Sequence, residues 1–156
     1  VAGGELSAVA TFHPEKISGL VYLDAGYAYA LWDEVHGNQG MRAAAVARYV
    51  EPIIPAAIES PKLAVVAGQR RFTRIQVPVL AIFADPHDFS SEFKDPVRRG
   101  KEEKLDSERT DRQIVAFQRQ VPSAKIVRLA HASHMIFRSN EAEVLMEMNA
   151  FIKTLH

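Results

Sequence analysis

The sequence predicts an α/β fold with a parallel sheet flanked by helices, and two observations support this prediction. Three short apolar segments, 19–23, 77–83 and 124–129, have the continuous, β-branched character of strands buried on both faces. Segments with helical periodicity lie between and after them, and strands that alternate with helices typically form parallel sheets. A chain of 156 residues, 47% of them hydrophobic, is long enough for one core, so we expect one domain.

The clearest helical pattern is at the end of the chain. Asn140 and Glu143 have the spacing of a capping box, which predicts that a helix begins there. Its apolar residues recur at helical spacing: Val144, Leu145, Met148, Phe151, Ile152 and Leu155. We expect this helix to pack on the sheet.

A second helix is predicted to begin near Thr110, with Gln113 as its reciprocal cap. Ile114, Phe117 and Val121 would form its apolar side. The preceding segment 91–108 is highly charged, and it is interpreted as a solvated surface segment.

Residues 26–76 interrupt the alternation of strands and helices. The segment contains three prolines and is too long for a simple crossover between strands, so it predicts a helical insertion above the sheet that resembles a lid. Its aromatic residues Tyr27, Tyr29 and Trp32 are most simply explained by packing, and Tyr27 and Trp32 are also candidates for lining a substrate pocket.

Composition excludes several kinds of site. Lysine plus arginine equals aspartate plus glutamate, at 19 each, so no net charge favours nucleic acid or an acidic partner. The absence of cysteine excludes disulfides, thiolate metal sites and a cysteine nucleophile. No apolar run reaches the roughly 18 residues of a membrane span. The compartment stays open.

Candidate catalytic residues follow each predicted strand, where parallel α/β sheets bind their ligands. They are Asp24 after the first strand, Asp85, His87 and Asp88 after the second, and His131 and His134 after the third. A carboxylate beside a histidine fixes the imidazole tautomer and stabilises its protonated form, which is the arrangement of a general base. No serine of the chain lies in a G-x-S-x-G motif, so a nucleophile is missing.

The opening VAGGEL resembles the second half of a nucleophile elbow, the segment directly after a reactive serine. Three longer stretches extend this resemblance: VAGGELSAVATFHPEKISGLVYLDA, VPVLAIFADPHD and LAHASHMIFRSNEAEVLMEMNAFI. Together they resemble the C-terminal half of an α/β-hydrolase, from the helix after the elbow to the final helix. The resemblance implies that residues 1–156 are part of one hydrolase domain whose serine, and whose earlier half, precede the chain.

In that family the triad order is serine, acid, histidine. The resemblance implies that His134 is the general base and that the backbone N–H of Val1 is an oxyanion donor. For the acid it favours Asp88 first, Asp85 second and Asp24 third. The implied activity is hydrolysis of an ester or similar small carbonyl substrate without a cofactor. The expected partners are that substrate and the N-terminal half of the domain.

Two alternatives remain open from the sequence. The same framework could be a non-catalytic α/β protein that binds a ligand or partner. The residue before Val1 would discriminate between these functions. Serine there favours hydrolysis, aspartate favours a dehalogenase-like route, and glycine or alanine favours binding. The H-x-x-H spacing of His131 and His134, near Asp85 and Asp88, is also compatible with a metal site. Such spacing is common by chance, so no metal is expected, and His131 is interpreted as structural.

Overall fold

The computed structural model of the protein describes residues 2–25 and 75–155, and in these ranges it contains a three-stranded parallel sheet with helices around it. The strands are β1 (Leu20–Leu23), β2 (Val79–Ala84) and β3 (Ala124–Leu129), in the spatial order β1-β2-β3. Leu20 pairs with Val79, and Val79 pairs with Ala124, so the three strands begin in line. The predicted α/β class and parallel sheet are therefore confirmed.

Four α-helices accompany the sheet in the described ranges. They are α1 (Ala2–Phe12), α2 (Pro96–Gln120), α3 (Ile136–Ser139) and α4 (Glu141–Ile152), and a short 3-10 helix spans Pro14–Lys16. No helix among the described residues is both long and apolar enough to cross a membrane.

Helices cover both faces of the sheet, which explains why every residue of the central strand β2 is buried. One face packs against α1 and α2 through a cluster that includes Tyr22, Phe83 and Phe117. Phe117 lies edge-on to the Tyr22 ring, with 5.1 Å between the ring centroids. The other face packs Leu80, Ile82 and Ala84 against a second apolar cluster formed mainly by α3 and α4. The apolar run of β2 follows from this burial on two sides.

Helix α1 is fixed to β1 by a buried polar contact and by a close backbone approach. Ser7 Oγ lies 2.9 Å from the Tyr22 hydroxyl and donates a hydrogen bond of 2.8 Å to the Gly3 carbonyl. A Cβ at Gly3 would lie 2.0 Å from the carbonyl oxygen of Ala25, so only glycine fits there. The first turn of α1 therefore lies against the chain that leaves the carboxyl end of β1.

The second helix begins earlier than the sequence suggested. Instead of starting near Thr110, α2 starts at Pro96, and the side chain of Asp95 accepts a hydrogen bond of 3.1 Å from the Val97 N–H. An aspartate cap followed by proline at the first helical position is a strong start signal. Most of the charged segment 91–108 is thus helical, and most of its residues are exposed as expected, but Asp106 is buried.

The final helix is confirmed, but its capping box is not. Asn140 occupies the N-cap position of α4 and makes no side-chain capping hydrogen bond. Its Oδ1 atom is buried without a partner among the described residues. The short helix α3 ends at Ser139, and Asn140 is its C-cap, with its backbone N–H donating to the Ile136 carbonyl. Asn140 therefore belongs to the end of α3 as well as to the start of α4.

The helical insertion expected over 26–76 lies outside the described residues, apart from Ile75 and Gln76. The same holds for Tyr27, Tyr29 and Trp32, and for Val1. Their predicted roles stay predictions.

Candidate functional site

The candidate site lies at the carboxyl edge of the sheet, where the segments after the three strands meet. Backbone hydrogen bonds of 2.9 Å continue the ladder between β2 and β3, from Asp85 N–H to Leu129 and from Asp88 N–H to Ala132. These bonds hold the turn after β2 against the loop after β3. Parallel α/β folds place their ligand sites at this edge.

Asp24 is the centre of the site. It is the first residue after β1, its φ of 48° lies in the left-handed region, and its N–H donates a bond of 2.7 Å to the Ile82 carbonyl. A non-glycine residue with positive φ is uncommon and turns the chain away from the sheet direction. The buried carboxylate accepts a bond of 3.3 Å from the Ala84 N–H through Oδ1, which leaves Oδ2 for other donors.

His134 is one of those donors. Its Nδ1 lies 2.6 Å from Asp24 Oδ2, although 65% of the His134 side chain is exposed. Because an ionised carboxylate only accepts hydrogen bonds, Nδ1 carries the proton and Nε2 is left as an acceptor. The Asp24 carboxylate therefore selects the imidazole tautomer that a general base requires.

His87 is the second donor, and it lies between two carboxylates. Its Nε2 is 2.8 Å from Asp24 Oδ2, and its Nδ1 is 2.8 Å from Asp106 Oδ2. The His87 backbone N–H also donates to Asp106, over 2.8 Å. The hydrogen bond to Asp24 first, and then that to Asp106, outweigh burial and raise the pKa of His87 from 6.5 to about 9. His87 is therefore an imidazolium at neutral pH.

The same contacts keep both carboxylates ionised. Burial acts to raise the pKa of Asp24, but the hydrogen bonds from His87 and His134 outweigh it and lower that pKa overall. Asp106 is governed in the same way, since hydrogen bonds from the backbone and ring of His87 more than offset its burial and lower its pKa. Arg109, one turn further along α2, pairs with the other oxygen of Asp106. Negative and positive charges therefore alternate through the site, in the order Asp24, His87, Asp106 and Arg109.

The two acids favoured by the sequence have other partners. Asp88 accepts a hydrogen bond of 2.8 Å from the Ser90 N–H in an exposed turn. Asp85 binds the Ser107 hydroxyl at 2.8 Å and Arg128 Nη1 at 2.6 Å. Neither carboxylate contacts His134, so the expected pairing with Asp88 or Asp85 is corrected to Asp24, the third choice.

His131 does not join the cluster. It has a φ of 54°, and its Nδ1 lies 3.7 Å from Glu103 with 61% of the side chain exposed. The two histidines of the H-x-x-H spacing thus face different partners, although only three positions separate them.

Sequence reasoning missed the role of His87 and overlooked Asp106 altogether. A signal for Asp106 was present: Asp106, Thr110, Ile114 and Phe117 recur at helical spacing, and all four are buried on α2. An acidic residue in line with an apolar helix face indicates a buried charge with a partner. Because the segment was interpreted as a solvated surface, this register was not considered.

Comparisons of the chain with protein-family models, with curated proteins and with solved structures found no match.

Proposed function

We propose that this chain is part of a serine hydrolase acting on an ester or similar small carbonyl substrate, with His134 as general base and Asp24 as triad acid. The observation that carries the proposal is the 2.6 Å contact between His134 Nδ1 and Asp24 Oδ2 at the carboxyl edge of a parallel sheet. A histidine held there by a buried carboxylate, with its second nitrogen unbonded to any described residue, is suited to proton transfer.

The nucleophile is proposed to be a serine that directly precedes Val1. The position of α1 supports this assignment. The first turn of α1 approaches Ala25 so closely that Gly3 has no room for a Cβ, and Ala25 follows Asp24 in the chain. A residue at the start of α1 would therefore lie at the same edge of the sheet as Asp24. The N–H groups at a helix start also suit a developing oxyanion.

In the proposed reaction, the serine hydroxyl attacks the substrate carbonyl carbon as His134 Nε2 accepts the hydroxyl proton. His134 becomes an imidazolium, and the ionised Asp24 stabilises it through the Nδ1 hydrogen bond. When the tetrahedral intermediate collapses, His134 returns the proton to the leaving group. Water then releases the acyl group by the same sequence of transfers.

His87 supports the acid in this scheme. Asp24 Oδ2 accepts from both imidazoles, and His87 is itself fixed by Asp106. The cationic His87 keeps Asp24 ionised, because a positive charge at hydrogen-bond distance favours the charged carboxylate. Asp24 is thus held both in position and in the protonation state that a triad acid needs.

The proposal is tested in the parent protein, expressed from its gene with any residues that precede Val1. A fluorophosphonate probe should label the protein at one serine, and p-nitrophenyl acetate should be hydrolysed. Asp24→Asn and His134→Gln should each lower kcat/KM by about 10³-fold to 10⁴-fold, because the oriented base is lost.

Asp88→Asn is the matched control, since among the described residues the exposed Asp88 carboxylate bonds to Ser90 in its own turn and not to His134. This variant should retain wild-type turnover. Loss of turnover in Asp88→Asn with retention in Asp24→Asn would restore the acid favoured by the sequence. Failure of the probe to label the folded parent protein would overturn the hydrolase proposal and favour a non-catalytic binding protein.

A further inference from the structure

The site brings three metal-binding side chains together in one cluster. Asp24, His87 and His134 each offer one ligand atom, and these atoms lie within 4.8 Å of one another. They come from three separate segments, after β1, after β2 and after β3, so the tertiary fold creates the cluster. Two imidazole nitrogens with one carboxylate oxygen form a donor set suited to zinc, and not to magnesium or calcium, which prefer oxygen ligands.

The contact of His87 with Asp106 is the arrangement found behind metal-binding histidines. Metal-binding imidazoles usually donate their second N–H to a carboxylate, which fixes the ring and the tautomer. His87 Nδ1 is 2.8 Å from Asp106 Oδ2, and the side chain of Asp106 is only 1% exposed. This contact directs His87 Nε2 toward Asp24 Oδ2, as coordination requires.

The distances lie within reach of zinc coordination. Zinc binds imidazole nitrogen and carboxylate oxygen at about 2.0–2.2 Å, so two ligands of a tetrahedral ion lie about 3.3 Å apart. The Asp24 oxygen is 2.8 Å from His87 Nε2 and 2.6 Å from His134 Nδ1. The Asp24–His87 separation must grow by about 0.5 Å and the Asp24–His134 separation by about 0.7 Å. His134 can supply the second of these movements because most of its side chain is in solvent.

We propose that Asp24 Oδ2, His87 Nε2 and His134 Nδ1 bind one Zn²⁺ ion, with water in the fourth position. Zinc displaces the proton of His87 Nε2, which passes to solvent, and the His134 proton moves from Nδ1 to Nε2 by exchange with solvent, so that both imidazoles bind as neutral ligands. The His87 Nδ1–H stays on Asp106. This site differs from the H-x-x-H pair of the sequence, because His131 is not a ligand.

Zinc binding does not depend on the proposed hydrolase activity. The two states exclude each other, since zinc occupies the Nδ1 atom through which His134 bonds to Asp24. If the parent protein is a hydrolase, zinc inhibits it. The binding itself is measured without any substrate.

The experiment titrates the full chain, first freed of metal with EDTA, with Zn²⁺ in a calorimeter and with Co²⁺ in an absorption spectrometer. We expect one equivalent of zinc and the visible absorption of tetrahedral Co²⁺. Asp24→Asn, His87→Gln and His134→Gln should each weaken zinc binding by at least about tenfold, and Asp106→Asn by about 10-fold to 100-fold. His131→Gln is the matched control and should bind as the wild type does.

His134→Gln is the decisive variant, because a side chain that is 65% exposed is replaced with little risk to the fold, which circular dichroism verifies. Absence of zinc binding to the folded wild-type chain would overturn the proposal. Equal zinc affinity in His134→Gln, or equal losses in His131→Gln and His134→Gln, would also overturn it, because the ion would then be bound adventitiously.

Discussion

His87 makes the stability of the protein depend on pH above neutrality. Its pKa is raised from 6.5 to about 9, mainly by its hydrogen bond to Asp24. A group whose pKa is raised on folding stabilises the folded state fully below its unfolded pKa, and that contribution is lost as the pH rises through the folded pKa. The stabilisation should therefore be complete below pH 6.5 and disappear between pH 6.5 and about 9.

The size of this stabilisation follows from the shift in the pKa of His87. At 1.36 kcal/mol per pH unit, a rise from 6.5 to about 9 corresponds to at most about 3 kcal/mol. The His87 side chain is 24% exposed, so solvent screening reduces this to about 2 kcal/mol. Asp24 and Asp106 affect stability only at acidic pH. Their lowered pKa values stabilise the folded protein above pH 3.8, and this contribution is lost as the pH falls below 3.8.

The assay is urea unfolding of the full chain, followed by circular dichroism between pH 6 and pH 9.5 with EDTA present, so that no metal competes with the protons. The wild type should lose about 2 kcal/mol of unfolding free energy across this range. In His87→Gln the loss should disappear, whereas His131→Gln, which alters an exposed histidine, should keep it. A wild-type stability that is flat over this range, or an equal slope in His87→Gln, would refute the reasoning.

Two further predictions concern packing. Gly3→Ala should destabilise the protein by about 2 kcal/mol in urea unfolding, because its Cβ would meet the Ala25 carbonyl oxygen. Gly100→Ala is the control: a Cβ there meets nothing within 4 Å, so the change should be neutral or stabilise by up to about 1 kcal/mol. Equal effects of the two substitutions would contradict the close approach of α1. Phe117→Ala should lower the free energy of unfolding by about 3–5 kcal/mol, because the ring is fully buried. Val115→Ala, at an exposed position of the same helix, should change it by less than about 0.5 kcal/mol. Similar losses in the two variants would show that α2 does not cover the sheet.

The strands and the site edge could be predicted from the sequence because they depend on local pattern. The run VLAIFA is apolar at every position, and in the structure it is the central strand, buried on both faces. The rule that ligand sites follow parallel strands also selected the loops of Asp24, His87 and His134. The start of α2 was not predicted correctly, because the charged segment was interpreted from its polarity and the capping signal at Asp95 was not used.

The carboxylate that pairs with His134 could not be predicted from the sequence, because the pairing depends on competition among neighbouring side chains. Asp85 was the second choice from the family resemblance, but Ser107 and Arg128 bind its carboxylate. Both come from elements distant in sequence, α2 and β3. Asp24 reaches His134 because its backbone turns at the end of β1, and no local sequence pattern specifies that direction.

The sequence by itself determined the α/β class, the three strands and the loops that carry polar residues, since periodicity and buried apolar runs are properties of adjacent residues. Only the tertiary structure decided that Asp24 Oδ2 accepts from two histidines and that Asp106 lies behind one of them. The physical reason is that hydrogen bonds act only over short distances, because the donor and acceptor must come within about 3 Å of each other. Residues 24, 87, 106 and 134 come that close only when the strands align and α2 packs on the sheet.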